Sequence, residues 1–232
     1  MIRLYVETAL AAGTSVAATE AQAHYLGRVM RRAVGDRVQL FNGRDGEWVA
    51  KITALLRGGA TFVVEGQARP QEADTDLWLA FAVLKRDSTD MVVQKATELG
   101  VAALLPVFTE RTNAGRVNLE RLRAIAVEAA EQSERLTVPD IRPAEPLDAI
   151  LAAWPKERAL FVAVERAKAR PLASVTGPAG LLIGPEGGFG PRDHLLLDRS
   201  GSIRPVSLGP RILRAETAAI AGLALLRGPC CG

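Results

Sequence analysis

Cysteine is nearly missing from these 232 residues, since Cys230 and Cys231 are the two present. Adjacent cysteines cannot build a disulfide framework or space the ligands of a metal site, so no metal and a reducing, cytoplasmic setting are expected. No stretch approaches the roughly 18 consecutive apolar residues of a membrane span, and the opening residues carry only a short, interrupted apolar segment, so no membrane partner is expected. Charge of one sign is also scarce. Lys+Arg 29 against Asp+Glu 26 leaves a net +3, which does not support a polybasic tail or a nonspecific nucleic-acid coat. Lysine is rare within that balance: residues 51, 85, 95, 156 and 168 are the five, leaving 24 arginines. Arginine suits bidentate phosphate contact and base stacking, while a skewed genome composition produces the same bias. Internal repeats and low-complexity tracts are absent from the sequence. What is present, 48% hydrophobic and 24% charged residues, is enough apolar material for a packed core in one large domain or two ordinary ones.

The pattern changes near residue 75. Before it, short β segments dominate: a strand over 38–41, a turn at Asn42-Gly43, an alternating strand over 47–55, and another over 60–65 after the Gly58-Gly59 break. One helix interrupts them. Thr19 is placed to cap it, and Ala23, Leu26, Val29 and Met30 recur at helical spacing, leaving Arg28, Arg31 and Arg32 on its flank and exit. Strands this short around one helix suggest a small barrel over residues 1–70. The polar stretch 67–75, with Pro70 and no periodicity, reads as a linker.

From residue 76 to 228 strand and helix alternate. The apolar run 77–84 suits a strand buried on both faces. Asp87 or Ser88 can cap a helix through Met91, Val92, Ala96 and Leu99 that Gly100 ends. A strand over 101–107 and a helix over 118–135 follow, then strands over 159–164, 181–183 and 203–208 and a last helix from about Ala215. The expected fold class is α/β with a mostly parallel sheet.

Ligand sites in such sheets lie beyond the carboxyl ends of the strands, where two loops stand out. The first, Gly184-Pro185-Glu186-Gly187-Gly188-Phe189-Gly190, has four glycines that let backbone groups approach a ligand, or that simply make a tight turn before Pro191 opens a helix. It lacks the Gly-Lys-Ser/Thr of a phosphate-binding P-loop and the spacing of a dinucleotide fingerprint. The second loop runs Leu208-Gly209-Pro210-Arg211-Ile212-Leu213-Arg214-Ala215-Glu216. Its two arginines can bind phosphate or carboxylate near a helix start, or pair with Glu216 at the surface.

With their surroundings these loops resemble one family over essentially the whole chain: the small-subunit ribosomal RNA uridine N3-methyltransferases of the SPOUT superfamily. The resemblance includes His24-Tyr25-Leu26 with Arg28 to Arg32, Lys85, the block Gln94 to Val101 and the block Glu128 to Ser133, and it is most specific at the two loops. It implies a PUA-like N-terminal β-barrel that helps hold RNA and a SPOUT domain with a deep C-terminal trefoil knot. The strand pattern does not predict that knot, and ordinary topology rules disfavour one.

The resemblance further implies a homodimer that uses S-adenosyl-L-methionine to methylate N3 of a uridine in 16S rRNA within the 30S subunit. By position, the cofactor contacts would be Ile183, Gly184, Glu186, Gly188, Leu208, Gly209, Ile212 and Leu213. Glycine and aliphatic residues suit the faces and edge of adenine. The uridine N3 must lose a proton, so Arg211 or Arg214 would stabilise the developing uracil anion. Glu186 and Glu216 are the carboxylates placed to act as base or to orient those arginines. RNA contacts would fall to Arg28, Arg31 and Arg32, continued across the second domain by Lys85, Arg86, Lys95 and Arg111. The Glu128 to Arg135 face reads as a solvated helix side or a dimer contact, and His24 as structural beside its helix. Two alternatives stay open: another target such as a ribose 2′-O, and a noncatalytic RNA-binding assembly factor on the same fold.

Overall fold

The structure is a computed structural model that describes residues 1–73, 75–113, 115–164 and 169–228, so Cys230 and Cys231 lie outside the described residues. The chain forms two compact units, Met1–Asp74 with Ala130–Val138, and Thr75–Ala129 with Pro139–Gly232.

The first unit is built on β1 (Arg3–Tyr5), β2 (Ser15–Ala17), α1 (Glu20–His24), β3 (Arg37–Phe41), β4 (Glu47–Leu56) and β5 (Gly59–Arg69). Its sheet runs β1-β3-β4-β5-β2, parallel between β1 and β3 and antiparallel elsewhere. Register shifts along β4 and β5 mark the bulges that bend such strands around a core. Leu4, Val16, Leu26, Val38, Leu40, Ile52 and Phe62 fill that core. Thr19 caps α1 as its sequence predicts. Its hydroxyl accepts the Gln22 N–H at 3.2 Å, and the Gln22 carbonyl accepts the Thr19 N–H at 3.0 Å. The helix then widens into a π turn over Tyr25–Val29 and exits through Arg31 at φ 51°, which leaves Arg28, Arg31 and Arg32 exposed. His24 is exposed too, contrary to the packed position expected for it.

Two further expectations are corrected in this unit. The Asn42-Gly43 signal marks a longer loop, in which the Asn42 carbonyl accepts the Arg44 and Asp45 N–H groups. Asp45 accepts the Leu10 N–H at 2.8 Å and the Asn42 amide at 2.6 Å, and these bonds hold its carboxyl below the usual aspartate range. Residues 67–69 belong to β5, not to a linker: Gln67 pairs with Trp48 and Arg69 with Glu47 in the ladder. The segment 130–138 completes this unit. The buried Arg3 guanidinium, salt-bridged to Glu47, donates to the Ala130, Glu131 and Arg135 carbonyls at 2.8–2.9 Å. Glu131 accepts the Tyr5 N–H at 2.9 Å, while Ala130 and Leu136 pack on Phe41. Glu131 is therefore bound to β1, where a solvated or dimer-facing side chain was expected.

The second unit runs β6 (Leu77–Ala82), α2 (Arg86–Glu98), β7 (Ala103–Phe108), α3 (Leu119–Gln132), β8 (Asp140–Ile141), β9 (Glu145–Pro146), α4 (Leu147–Ala152), β10 (Ala159–Ala163), β11 (Arg170–Pro171), β12 (Ala179–Ile183), α5 (Pro191–Arg199), β13 (Ile203–Ser207) and α6 (Ala215–Arg227). Its sheet is ordered β11-β13-β10-β12-β6-β7-β8, with β9 on β7, and every pair is parallel. Every residue of β12 is buried, as a strand covered on both faces must be. The sequence places α2 slightly late: Lys85 occupies the cap, Asp87 and Ser88 sit in the first turn, and Met91 faces outward while Val92, Val93 and Ala96 are buried. Passing from β12 to β13 carries the chain across β10, and α6 then returns to β12. A Cβ at Gly222 of α6 would stand 2.6 Å from Leu181 Cδ2, so this crossing needs glycine.

Candidate functional site

At the carboxyl ends of β10, β12 and β13 lies a cavity of about 1130 Å³. Both glycine-containing loops form its walls, with Ala163 and Val164 behind them. All eight residues that the resemblance assigns to a cofactor line it: Ile183, Gly184, Glu186, Gly188, Leu208, Gly209, Ile212 and Leu213. Two of the glycines are required by backbone geometry. Gly188 at φ 69° and Gly209 at φ 114° occupy the left-handed region, and a Cβ on either would meet no protein atom within 4 Å. Gly184 instead lies against the Phe189 ring, where a Cβ would come within 3.1 Å.

The first loop is tied down by Asp193 and Glu110, which the sequence does not single out, and by Arg111, expected instead at the RNA. Asp193, buried in the first turn of α5, accepts the Gly190 N–H at 2.9 Å and the Glu110 N–H at 3.2 Å. Glu110 accepts the Arg192 N–H at 2.9 Å, and Arg111 donates to the Gly187 carbonyl at 2.7 Å. Within the loop Gly188 N–H bonds the Pro185 carbonyl at 2.8 Å, and Phe189 is buried with its ring edge against His194. The local signal for Asp193 was an acid in the first turn after Gly190-Pro191, a helix-start pattern. Glu110 gave no comparable signal, because its partners lie 82 and 83 residues away.

The second loop is held lightly. Among the described residues its bonds to side chains are those between the Ser207 hydroxyl and the Gly209 backbone. Arg211 and Arg214 are exposed, line the cavity and have no ion pair among the described residues. Arg214 occupies the N-cap position of α6 without a side-chain capping bond, and the first turn of that helix adds its positive end to the same wall. Glu186 lines the cavity and Glu216 does not, a distinction that sequence left open.

The proposed RNA contacts scatter in role. Arg28, Arg31 and Arg32 stay exposed in the first unit, with Arg32 4.0 Å from Asp36. Lys85 and Arg86 line a second, smaller cavity in the second unit. Lys95 is ion-paired with Glu98 at 2.8 Å, and Arg111, exposed at the large cavity, donates to the Gly187 carbonyl. No group of acidic, histidine or cysteine side chains among the described residues could hold a metal, and no helix among them is long and apolar enough to cross a membrane.

Comparison with known proteins follows this geometry. Residues 71–227 match a family described as an RNA methyltransferase domain, and residues 18–65 one described as an RNA methyltransferase PUA domain. The chain is 34% identical to the ribosomal RNA small subunit methyltransferase E of Rickettsia conorii, covering 97% of this chain and 94% of that one. It is 36% identical to the protein of the same name from Synechocystis, covering 90% and 72%. Among solved structures, the Neisseria gonorrhoeae ribosomal RNA small subunit methyltransferase E bound to S-adenosyl methionine superposes with a TM-score of 0.88 at 29% identity, covering 96% and 95%. A Legionella pneumophila protein in complex with the same cofactor gives 0.85 at 30% identity, with the same coverage.

Proposed function

The chain belongs to the RNA methyltransferase family, and from that premise we propose that it methylates N3 of a uridine in small-subunit ribosomal RNA. It is an S-adenosylmethionine-dependent rRNA methyltransferase. The base position, the 30S context and a cytoplasmic homodimer are the further parts of the proposal. One observation carries the reading: a single cavity joins open glycine backbone and aliphatic walls to the Arg211 and Arg214 guanidinium groups, which have no ion pair among the described residues, and to the carboxylates of Glu186 and Asp198.

The residues present fit the cofactor. Gly188 and Gly209 leave the space that side chains would fill, and Ile183, Leu208, Ile212 and Leu213 offer apolar faces to a flat heterocycle. When bound, the cofactor supplies an electrophilic methyl on a sulfonium. Everything else falls to the protein. The loops would hold the acceptor and the cofactor in place relative to one another, a positioning that supplies a sizeable part of such a rate. Two carboxylates line the cavity, Glu186 and Asp198; Glu186, in the first loop, is the one assigned to take the N3 proton. Arg211 and Arg214 stabilise the negative charge that spreads onto the uracil oxygens as that proton leaves.

The test uses labelled cofactor with 30S subunits and with free rRNA, followed by nuclease digestion and mass spectrometry. N3-methyluridine is expected, more from the subunits than from free RNA. A 2′-O-methyl nucleoside would move the chemistry to the ribose, and no incorporation with either substrate would support a binding role alone.

A further inference from the structure

The second unit carries another cavity, of about 420 Å³, with no part in the site above. Its walls are Val83 and Leu84 where β6 runs out, Lys85 and Arg86 at the opening of α2, and Arg116 and Asn118 ahead of α3. Arg121 also lines it, but its guanidinium is ion-paired with Asp90. Lys85, Arg86 and Arg116 are exposed and have no ion pair among the described residues. Asp87, the acid in the first turn of α2, is not part of the wall. Asn118 uses its carbonyl oxygen on the Arg121 N–H at 3.0 Å, which leaves its amide hydrogens to donate. Three uncompensated cations and a free amide, all donors, surround one cavity, and that set selects an anion with several acceptor oxygens.

The place of the cavity identifies the anion. Strands β6 and β12 are parallel neighbours, with Phe81 opposite Ile183. Lys85 follows Phe81 by the same four residues that separate Gly187 from Ile183, so both loops leave the same edge of the sheet from strands about 4.8 Å apart. A polynucleotide presenting one base to the large cavity runs its neighbouring backbone along that edge. We propose that the Lys85–Arg86–Arg116 cavity seats a backbone phosphate of the substrate RNA beside the methylated nucleotide. The proposal rests on the rRNA methyltransferase reading and adds the place where the strand is gripped.

The test compares wild type with K85A/R116A and the charge-preserving K85R/R116K. RNA affinity is measured by anisotropy across a salt series, methyl transfer by label incorporation, and cofactor affinity by calorimetry. For K85A/R116A the expected result is a KM for RNA raised about tenfold and a log K against log salt slope shallower by about 1, with kcat and cofactor affinity unchanged. K85R/R116K keeps wild-type values. Where melting shows K85A/R116A poorly folded, R116Q is read instead. Unchanged RNA affinity and salt slope would overturn the proposal, as would altered oligomeric mass with RNA binding intact, which assigns the cavity to a subunit contact. A wild type that binds RNA without methylating it defeats the parent reading alone, and the salt slope still decides this one.

Discussion

The two loops of the large cavity differ in composition, four glycines in the first against one glycine and two arginines in the second, and the glycine-rich one is the better restrained. The first is held at Gly187, Gly190 and Arg192 by Arg111, Asp193 and Glu110, and its Phe189 is only 8% exposed. The second depends on Ser207 and the start of α6, and its Ile212 is 57% exposed. A high glycine content therefore does not make a loop loose. What separates the loops is whether a distant segment supplies hydrogen-bond partners. Under the proposed function the difference suits a division of work: both loops meet the cofactor, the first as a fixed floor, and the second adds the arginines that face the RNA base.

That division can be broken by substitution. The largest effect is expected for Gly188→Val. A branched side chain at φ 69° adds roughly 1–2 kcal/mol of backbone strain and projects into the cavity. Cofactor affinity by calorimetry should fall by at least about a hundredfold while the protein stays folded; normal affinity would remove the first loop from the cofactor site. Arg214→Ala probes the other side. Methyl transfer should drop about a hundredfold, the scale of losing one preorganised donor, with cofactor affinity retained. Equal losses in both would erase the distinction between the loops. Asp193→Ala should act less strongly and only through position: two N–H groups lose their acceptor, costing about 1–3 kcal/mol in thermal stability. A several-fold weaker cofactor should accompany it, partly rescued by Asp193→Asn. A variant equally stable but unable to bind would show that Asp193 meets the cofactor directly.

Local patterns made much of this legible. The Thr19 capping box, the buried β12, the Pro191 helix start and the opening of α6 at Ala215 each need only neighbours in sequence. The eight cofactor positions came from the resemblance, and the cavity gathers all of them. Features set by remote partners were hidden. Residues 67–69 look like a linker because an edge of polar side chains has no apolar alternation, yet their backbone pairs with β4. Strands β8, β9 and β11 have two residues each, too few for any period to register. Glu110, Lys95 and Arg111 are charged surface residues in sequence, and only the fold shows what each one binds.

The return of residues 130–138 to the first unit has a temporal meaning. Arg3 and Phe41 leave the ribosome early, but the carbonyls and apolar groups that complete their surroundings are encoded about ninety residues later than Phe41. Synthesis proceeds at roughly 5–20 residues per second, so for several seconds Arg3 has Glu47 as a partner but not the three carbonyls that complete its surroundings. Its completion thus waits on the translation of α3 and the residues just after it, and a stall between residues 75 and 129 would leave the first unit unfinished.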